Sequence, residues 1–147
     1  MGKKSKNKGS GFERQVGKIL SDAFGVELRR TPMSGGWAQG YDNAAGDLTC
    51  LDGEFPYCVE CKKSEGWRLD SLFTGDHQWF DAWWAQLMRE CPASKQPLLV
   101  FSRNRAPIFV ASHWLPSTES RLSFLCGDVT MYVTTMDMFL QEVKWDQ

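Results

Sequence analysis

The pattern of apolar and polar positions divides the chain into segments of different period. Phe12, Val16, Ile19, Leu20 and Ala23/Phe24 recur at the spacing of one helix face, and Gly25 ends the run. Ser10-Gly11-Phe12-Glu13 has the S-x-x-E form of a capping box, which predicts a helix beginning at Ser10. Residues 1–9, made mainly of Lys, Ser, Asn and Gly, then form a flexible basic arm. Val26 to Thr31 predicts a short strand carrying Arg29 and Arg30. Residues 32–46 are glycine-rich without periodicity, and so long a loop in a small domain is usually functional or mobile. Asp47–Leu51 and Glu54–Lys63 read as two strands flanking Asp52-Gly53, a two-residue hairpin turn.

Further along, Asp76 is placed to cap a helix that runs through Glu90. Its Trp79, Phe80, Trp83, Trp84, Leu87 and Met88 make a broad apolar face, read as core in preference to a platform for stacking bases. His77, beside that cap, is read as structural, and Gln78 as lying outside any site. Residues 64–75 show no clear pattern. Pro97–Arg103 and Pro107–Ala111 read as strands around a turn at Asn104–Ala106. A last strand near Val129–Val133 leads into a helix from Thr135 to Val143. This order predicts an α/β (α+β) fold, a mixed central sheet flanked by helices. The 147 residues, without internal repeat, fit one domain over 10–147, with 112–147 as a C-terminal extension of the core.

Composition narrows the function classes. A hydrophobic content of 42% excludes a wholly disordered chain. No apolar run approaches the roughly 20 residues of a membrane span, and the basic N-terminus lacks the apolar stretch of a signal peptide. A cytoplasmic, intracellular protein is the expectation. Five cysteines in such a chain do not suggest a disulfide framework. Cys58-Val59-Glu60-Cys61 leaves a zinc or redox site open, but no second ligand pair stands at a suitable spacing, so small buried hydrophobes are the favoured reading. The net charge of −1 hides an asymmetry. Residues 1–30 hold eight basic against three acidic side chains, which suits phosphate contact at one face or, equally, a solvated tail.

If Asp52-Gly53 closes a hairpin, Asp47 lies opposite Cys58, and strand alternation places Asp47, Cys58, Glu60 and Lys62 on one face. Tyr57, Val59 and Cys61 then face the core. Asp47 becomes the diagonal neighbour of Glu60, about 7–8 Å away, so both carboxylates can reach one cation. Two acids and a lysine beside an apolar strand suit Mg²⁺, a hard ion held by one or two carboxylates with waters and phosphate oxygens. Lys62 would position water or neutralise charge on an attacked phosphate. Pro56 is the weak point, because a one-residue slip sends Asp47 to the other face. The alternative is an ordinary surface hairpin with a Glu60/Lys62 pair.

At these residues the chain resembles a known family. Gly46-Asp47-Leu48 followed by Val59-Glu60-Cys61-Lys62 resembles the PD-(D/E)XK nuclease signature. Lys8 to Arg14 (KGSGFER) resembles the first-helix motif of archaeal-type Holliday-junction resolvases, which also occur in viruses. Ser34-Gly35-Gly36 falls where those enzymes carry a serine- and glycine-rich loop. The likeness spans residues 8–111, with Gly46 replacing the usual proline. It implies a restriction-endonuclease-like core with Asp47 and Glu60 as direct metal ligands and Lys62 as the catalytic lysine. Glu13 becomes a catalytic, metal-site carboxylate, although a capping role would also explain it. Ser34 is a candidate phosphate contact, and Arg14, Arg29, Arg30 and Lys63 are candidate DNA contacts. Arg29 and Arg30 alternate along a strand, so at most one of them shares the metal face. Members of this type are Mg²⁺- or Mn²⁺-dependent homodimers that nick opposing strands of a four-way junction in DNA recombination. The resemblance therefore implies a structure-selective endodeoxyribonuclease acting on branched DNA, a protein that could be virus-encoded and act in the host cell. The alternatives are a nuclease for another duplex, flap or fork substrate, a non-catalytic DNA-binding module on the same fold, and an interaction protein using its seven tryptophans.

Overall fold

Helix α1 spans Gly2–Phe24 and lays Phe12, Val16, Leu20 and Phe24 along one buried stripe. The computed structural model describes residues 2–32, 44–115 and 120–143. The helix therefore starts well before Ser10, and the expected flexible arm and capping box are corrected: residues 2–9 continue the helix and Ser10 lies inside it. The strand carrying Arg29 and Arg30 is present as β1 (Leu28–Arg30).

The expected hairpin does not form. Strand β3 (Leu48–Cys50) runs antiparallel to β1, with Leu28 opposite Cys50, and to the two-residue β2 (Ala44–Ala45) on its other side. Strand β4 (Tyr57–Lys63) joins a different sheet, parallel to β5 (Gln96–Ser102). Asp52 does not turn the chain back on itself. Its Oδ1 accepts the Glu27 N–H at 2.7 Å, and the Leu51 N–H donates to Glu27 O at 2.9 Å. Both contacts tie the end of β3 to the approach to β1. The hydrogen-bonding edge that a hairpin would have used is already taken.

After β4 come a short helix α2 (Ser71–Thr74) and the aromatic helix α3 (Gln78–Glu90). His77 precedes α3 at its N-cap without a side-chain cap, so the expected Asp76 cap is also corrected. The remaining strands are β6 (Phe109–Ser112), β7 (Leu122–Cys126) and β8 (Val129–Thr135), followed by helix α4 (Met136–Glu142). The five-stranded sheet has the order β4-β5-β6-β8-β7, with one parallel pair and three antiparallel ones. The parallel pair needs a crossover, and α3 supplies it. Residues 112–143 are thus continuous with the sheet, since β8 pairs with β6. Thr135 caps α4 by accepting the Met138 N–H at 3.2 Å.

Each face of this mixed sheet carries its own core. Tyr57, Val59, Leu98, Val100 and Val110 pack against α1 and against α4 with its Phe139. Against α3 pack Cys58, Leu99, Phe101, Met131 and Val133, together with Phe80, Trp84 and Leu87. The apolar face of α3 packs on this core, with Phe80, Trp84 and Leu87 buried and Trp79 and Trp83 partly buried, while Met88 is 45% exposed. Alternation along β4 sends its odd-numbered residues toward α1 and its even-numbered residues toward α3.

Candidate active site

The site forms where residues 46–47 run beside the outer edge of β4. Gly46 makes a parallel bridge to Val59, and the Asp47 N–H donates to Val59 O at 2.8 Å. The Asp47 Oδ2 then accepts the Cys61 N–H at 2.7 Å, so its carboxyl lies against the strand that carries Glu60. Gly46 is at φ +72, and a Cβ there would stand 2.4 Å from Val59 O. Only glycine tolerates both the backbone and the approach. This explains a glycine at a position where the resemblance leads one to expect proline.

Glu60 and Lys62 point toward α3. Glu60 is 2% exposed, and its Oε1 is buried without a hydrogen-bond partner among the described residues. The other oxygen, Oε2, is 3.7 Å from Lys62 Nζ. Lys62 Nζ in turn donates to Gln86 Oε1 on α3 at 2.7 Å, and Gln86 Nε2 reaches Glu90 Oε1 at 3.5 Å. Burial raises both acids, with like charge adding to it. Glu60 is pushed up to about 9 by burial, then by the Asp47 carboxylate and Glu90. Asp47 is pushed up to about 6 by burial, against the Cys61 N–H that lowers it. Burial beside a second carboxyl thus favours the protonated form of Glu60 near neutrality.

Glu13 projects from α1 into the same neighbourhood, where its charge acts on Asp47 and Cys61. Its Oε1 accepts from Arg30 Nε at 3.1 Å, so it is an ion-pair partner of β1 and not a cap. Arg29 turns the other way and pairs with Glu27 at 2.7 Å. Of the two arginines, Arg30 is therefore the one on the site's side. Arg14 is exposed and, with Lys18, Arg29 and Arg30, lines a hollow of about 420 Å³ between α1 and β1. Lys63 faces α1, its Nζ 5.7 Å above the Phe12 ring. Ser34 lies outside the described residues.

His77 is buried, with Nδ1 3.0 Å from Asp81 Oδ1, a structural pair as the sequence suggests. Gln78 is exposed at the start of α3. All five cysteines are free thiols, and burial pushes Cys58 and Cys61 well above the ordinary range. They are poor metal ligands in that state. Gln86 and Glu90 join the site without being foreshadowed by any motif. The one trace they leave in the sequence is a stripe at helical spacing, Trp79, Trp83, Gln86 and Glu90, in which a half-buried glutamine follows two tryptophans.

The donor set fits a hard divalent ion. An orphaned, fully buried carboxylate oxygen next to a second carboxyl is a costly arrangement that a cation would relieve. No group of three His, Cys, Asp or Glu side chains among the described residues stands close enough to hold an ion. Asp47 and Glu60 are the nearest candidate ligands, and Glu13, the third expected carboxylate, is paired with Arg30 at 3.1 Å. Two carboxylates suffice for Mg²⁺, which keeps several waters.

A mixed sheet flanked by helices, with an acid on the chain beside one strand and Glu-x-Lys on that strand, is the PD-(D/E)XK arrangement. The chain belongs to the family described as "Phage putative PDDEXK endonuclease", which it matches over residues 4–147. It is similar to Protein D14 of Escherichia phage T5, at 30% identity over 139 residues that cover 91% of this chain and 84% of that protein. A solved structure, the Holliday junction resolvase Hjc of Archaeoglobus fulgidus, aligns at TM-score 0.40 and 12% identity, covering 93% of this chain and 91% of that one. That likeness is too distant to bear on mechanism.

Proposed function

We propose that this protein is a Mg²⁺- or Mn²⁺-dependent endodeoxyribonuclease that cuts branched DNA, working as a homodimer inside the host cell. The observation that carries the metal-dependent part is the buried, unpartnered Glu60 Oε1 beside Asp47 and Lys62. Family membership supports the endonuclease activity. The branched substrate and the dimer rest on the resemblance at Lys8 to Arg14, and the hollow lined by Arg14, Lys18, Arg29 and Arg30 supports contact with a phosphate backbone.

Asp47 and Glu60 would hold the ion. Its chemistry when bound is Lewis-acid polarisation of the phosphate and a lowered pKa for water. The chain's own residues do the rest. Lys62, oriented by Gln86, presents its ammonium where negative charge grows on the attacked phosphate. In the hydrolysis, water oxygen bonds to phosphorus, one ester P–O bond breaks, and the departing oxygen takes a proton. Arg30 and Arg14 offer charge to the flanking backbone.

The test is cleavage of a labelled four-way junction and a matching linear duplex, with Mg²⁺, Mn²⁺ or EDTA, by wild type and Asp47→Asn. Paired nicks on the junction alone, dependent on metal and lost in the variant, are expected. Equal cutting of both DNAs would retain the nuclease and remove the junction. Absence of cutting with either metal would remove the enzyme and leave a DNA-binding module. A monomer under assay conditions would remove paired resolution, since two opposed cuts need two sites.

A further inference from the structure

Beyond the catalytic carboxylates, the even-numbered face of β4 continues across the sheet. Lys62 is in register with Phe101 on β5, and Trp67 packs against Phe101 with ring centroids 5.1 Å apart. Over Trp67 lies the Arg103 guanidinium, 5.1 Å from the ring centroid, with Nη1 donating to Trp67 O at 3.1 Å. Arg103 opens the turn from β5 to β6, two residues beyond Lys62's register partner. Strand geometry therefore puts its backbone roughly 8 Å from that of Lys62.

This turn is built unusually. Arg105 sits at φ +63 and is the one non-glycine residue with positive φ among the described residues. An L-residue with a long side chain is strained there, whereas the adjacent Asn104 is a type that tolerates it. The turn does not relax, because Ser102 Oγ is within 3.2 Å, 3.3 Å and 3.0 Å of the carbonyls of Arg103, Ala106 and Pro107. Glu65 fixes it from the other side by accepting the Asn104 N–H at 2.9 Å. The strain yields no internal contact: no hydrogen bond or ion pair joins the Arg105 guanidinium to any described residue. Beneath it is a hollow of about 470 Å³, lined by two arginines against one glutamate.

We propose that this turn is a second phosphate-contact site, at which Arg105, backed by Arg103, grips the DNA backbone beside the phosphate being cut. The inference rests on DNA being the substrate. Strain held at an unpartnered cation, in a turn whose first residue has its backbone roughly 8 Å from that of the catalytic lysine, suits a group whose partner arrives with the substrate. Backbone contacts of this kind set position and affinity, not sequence preference.

Arg105→Gly separates the proposal from a merely structural turn, because glycine adopts φ +63 freely while deleting the cation. Binding of a labelled duplex in EDTA is measured by anisotropy across a salt series, with melting followed in parallel. The variant is expected to melt at or above the wild-type temperature, to bind several-fold more weakly, and to lose about 0.9 from the slope of log K against log salt. Unchanged affinity and slope, with wild type binding and cutting normally, would overturn this site alone. Failure of wild type to bind DNA even at low salt would remove the DNA reading, and this site with it. Arg105→Asn, which also accepts the backbone, repeats the comparison should the glycine variant melt lower.

Discussion

Lys62 shows how a site residue takes its role from what lies behind it. The ammonium has Glu60 at 3.7 Å and Gln86 at 2.7 Å, so the neutral amide is the closer partner. An amide accepts from Lys62 without competing with a cation for its charge. Gln86→Leu should therefore leave Lys62 free to turn, with Glu60 Oε2 at 3.7 Å as its remaining partner. Losing one such oriented hydrogen bond is worth about 1–2 kcal/mol, which corresponds to roughly a tenfold fall in kcat. KM for DNA should hold, and Gln86→Glu should restore part of the rate because it keeps the acceptor. A variant as fast as wild type would reduce Gln86 to a packing residue. Glu60 and Lys62 were legible in the sequence because Glu-x-Lys on an alternating strand is local. Gln86 was not, because it meets Lys62 across two layers and no spacing along the chain records that.

At the scale of elements, the sequence pointed to the correct neighbours for an incorrect reason. Asp47 does lie near Glu60, yet not as the diagonal partner in a hairpin. It arrives on a separate segment that runs parallel to β4, through the Gly46–Val59 bridge. The Asp52-Gly53 signal was overridden because Glu27 claims both Asp52 and Leu51. A local turn preference worth a fraction of a kcal/mol yields to such tertiary pairing. Strand β7 was missed although Gly127-Asp128 between two strand-like runs is itself a hairpin signal, and Cys126 does pair with Val129. The Gly46–Val59 bridge can be tested directly. Gly46→Ala places a methyl 2.4 Å from Val59 O at φ +72, so Asp47 must move or the bridge must open. Destabilisation of about 2–3 kcal/mol is expected, read from a denaturant midpoint, with cleavage lost even where the protein remains folded. A stable, active alanine variant would show that Asp47 is positioned by something other than this bridge.

For the whole molecule, the two carboxyls make stability depend on pH in a direction opposite to that of most proteins. In the metal-free fold both acids titrate higher than in the unfolded chain, so the native state holds protons that the unfolded state has released. Stability is then full below the ordinary carboxylate range and falls as pH rises, across a window from 4.5 toward about 9 for Glu60. A divalent ion reverses this, since it binds the deprotonated pair and only the folded state presents that pair. Melting temperature in EDTA should accordingly decline from about pH 5 to about pH 8.5, and Mg²⁺ should raise it far more at the upper end of that range than at the lower. Near this chain length one kcal/mol moves the midpoint by about 4 °C, so the divergence is measurable by scanning calorimetry. Glu60→Gln is neutral at every pH, and it should flatten the EDTA profile and abolish most of the Mg²⁺ effect together. Were the metal-free profile flat in wild type, or the Mg²⁺ increment equal at both pH values, the Asp47 and Glu60 carboxyls would not be the ion's site. The fold would then be carrying an unpartnered buried carboxyl for some other reason.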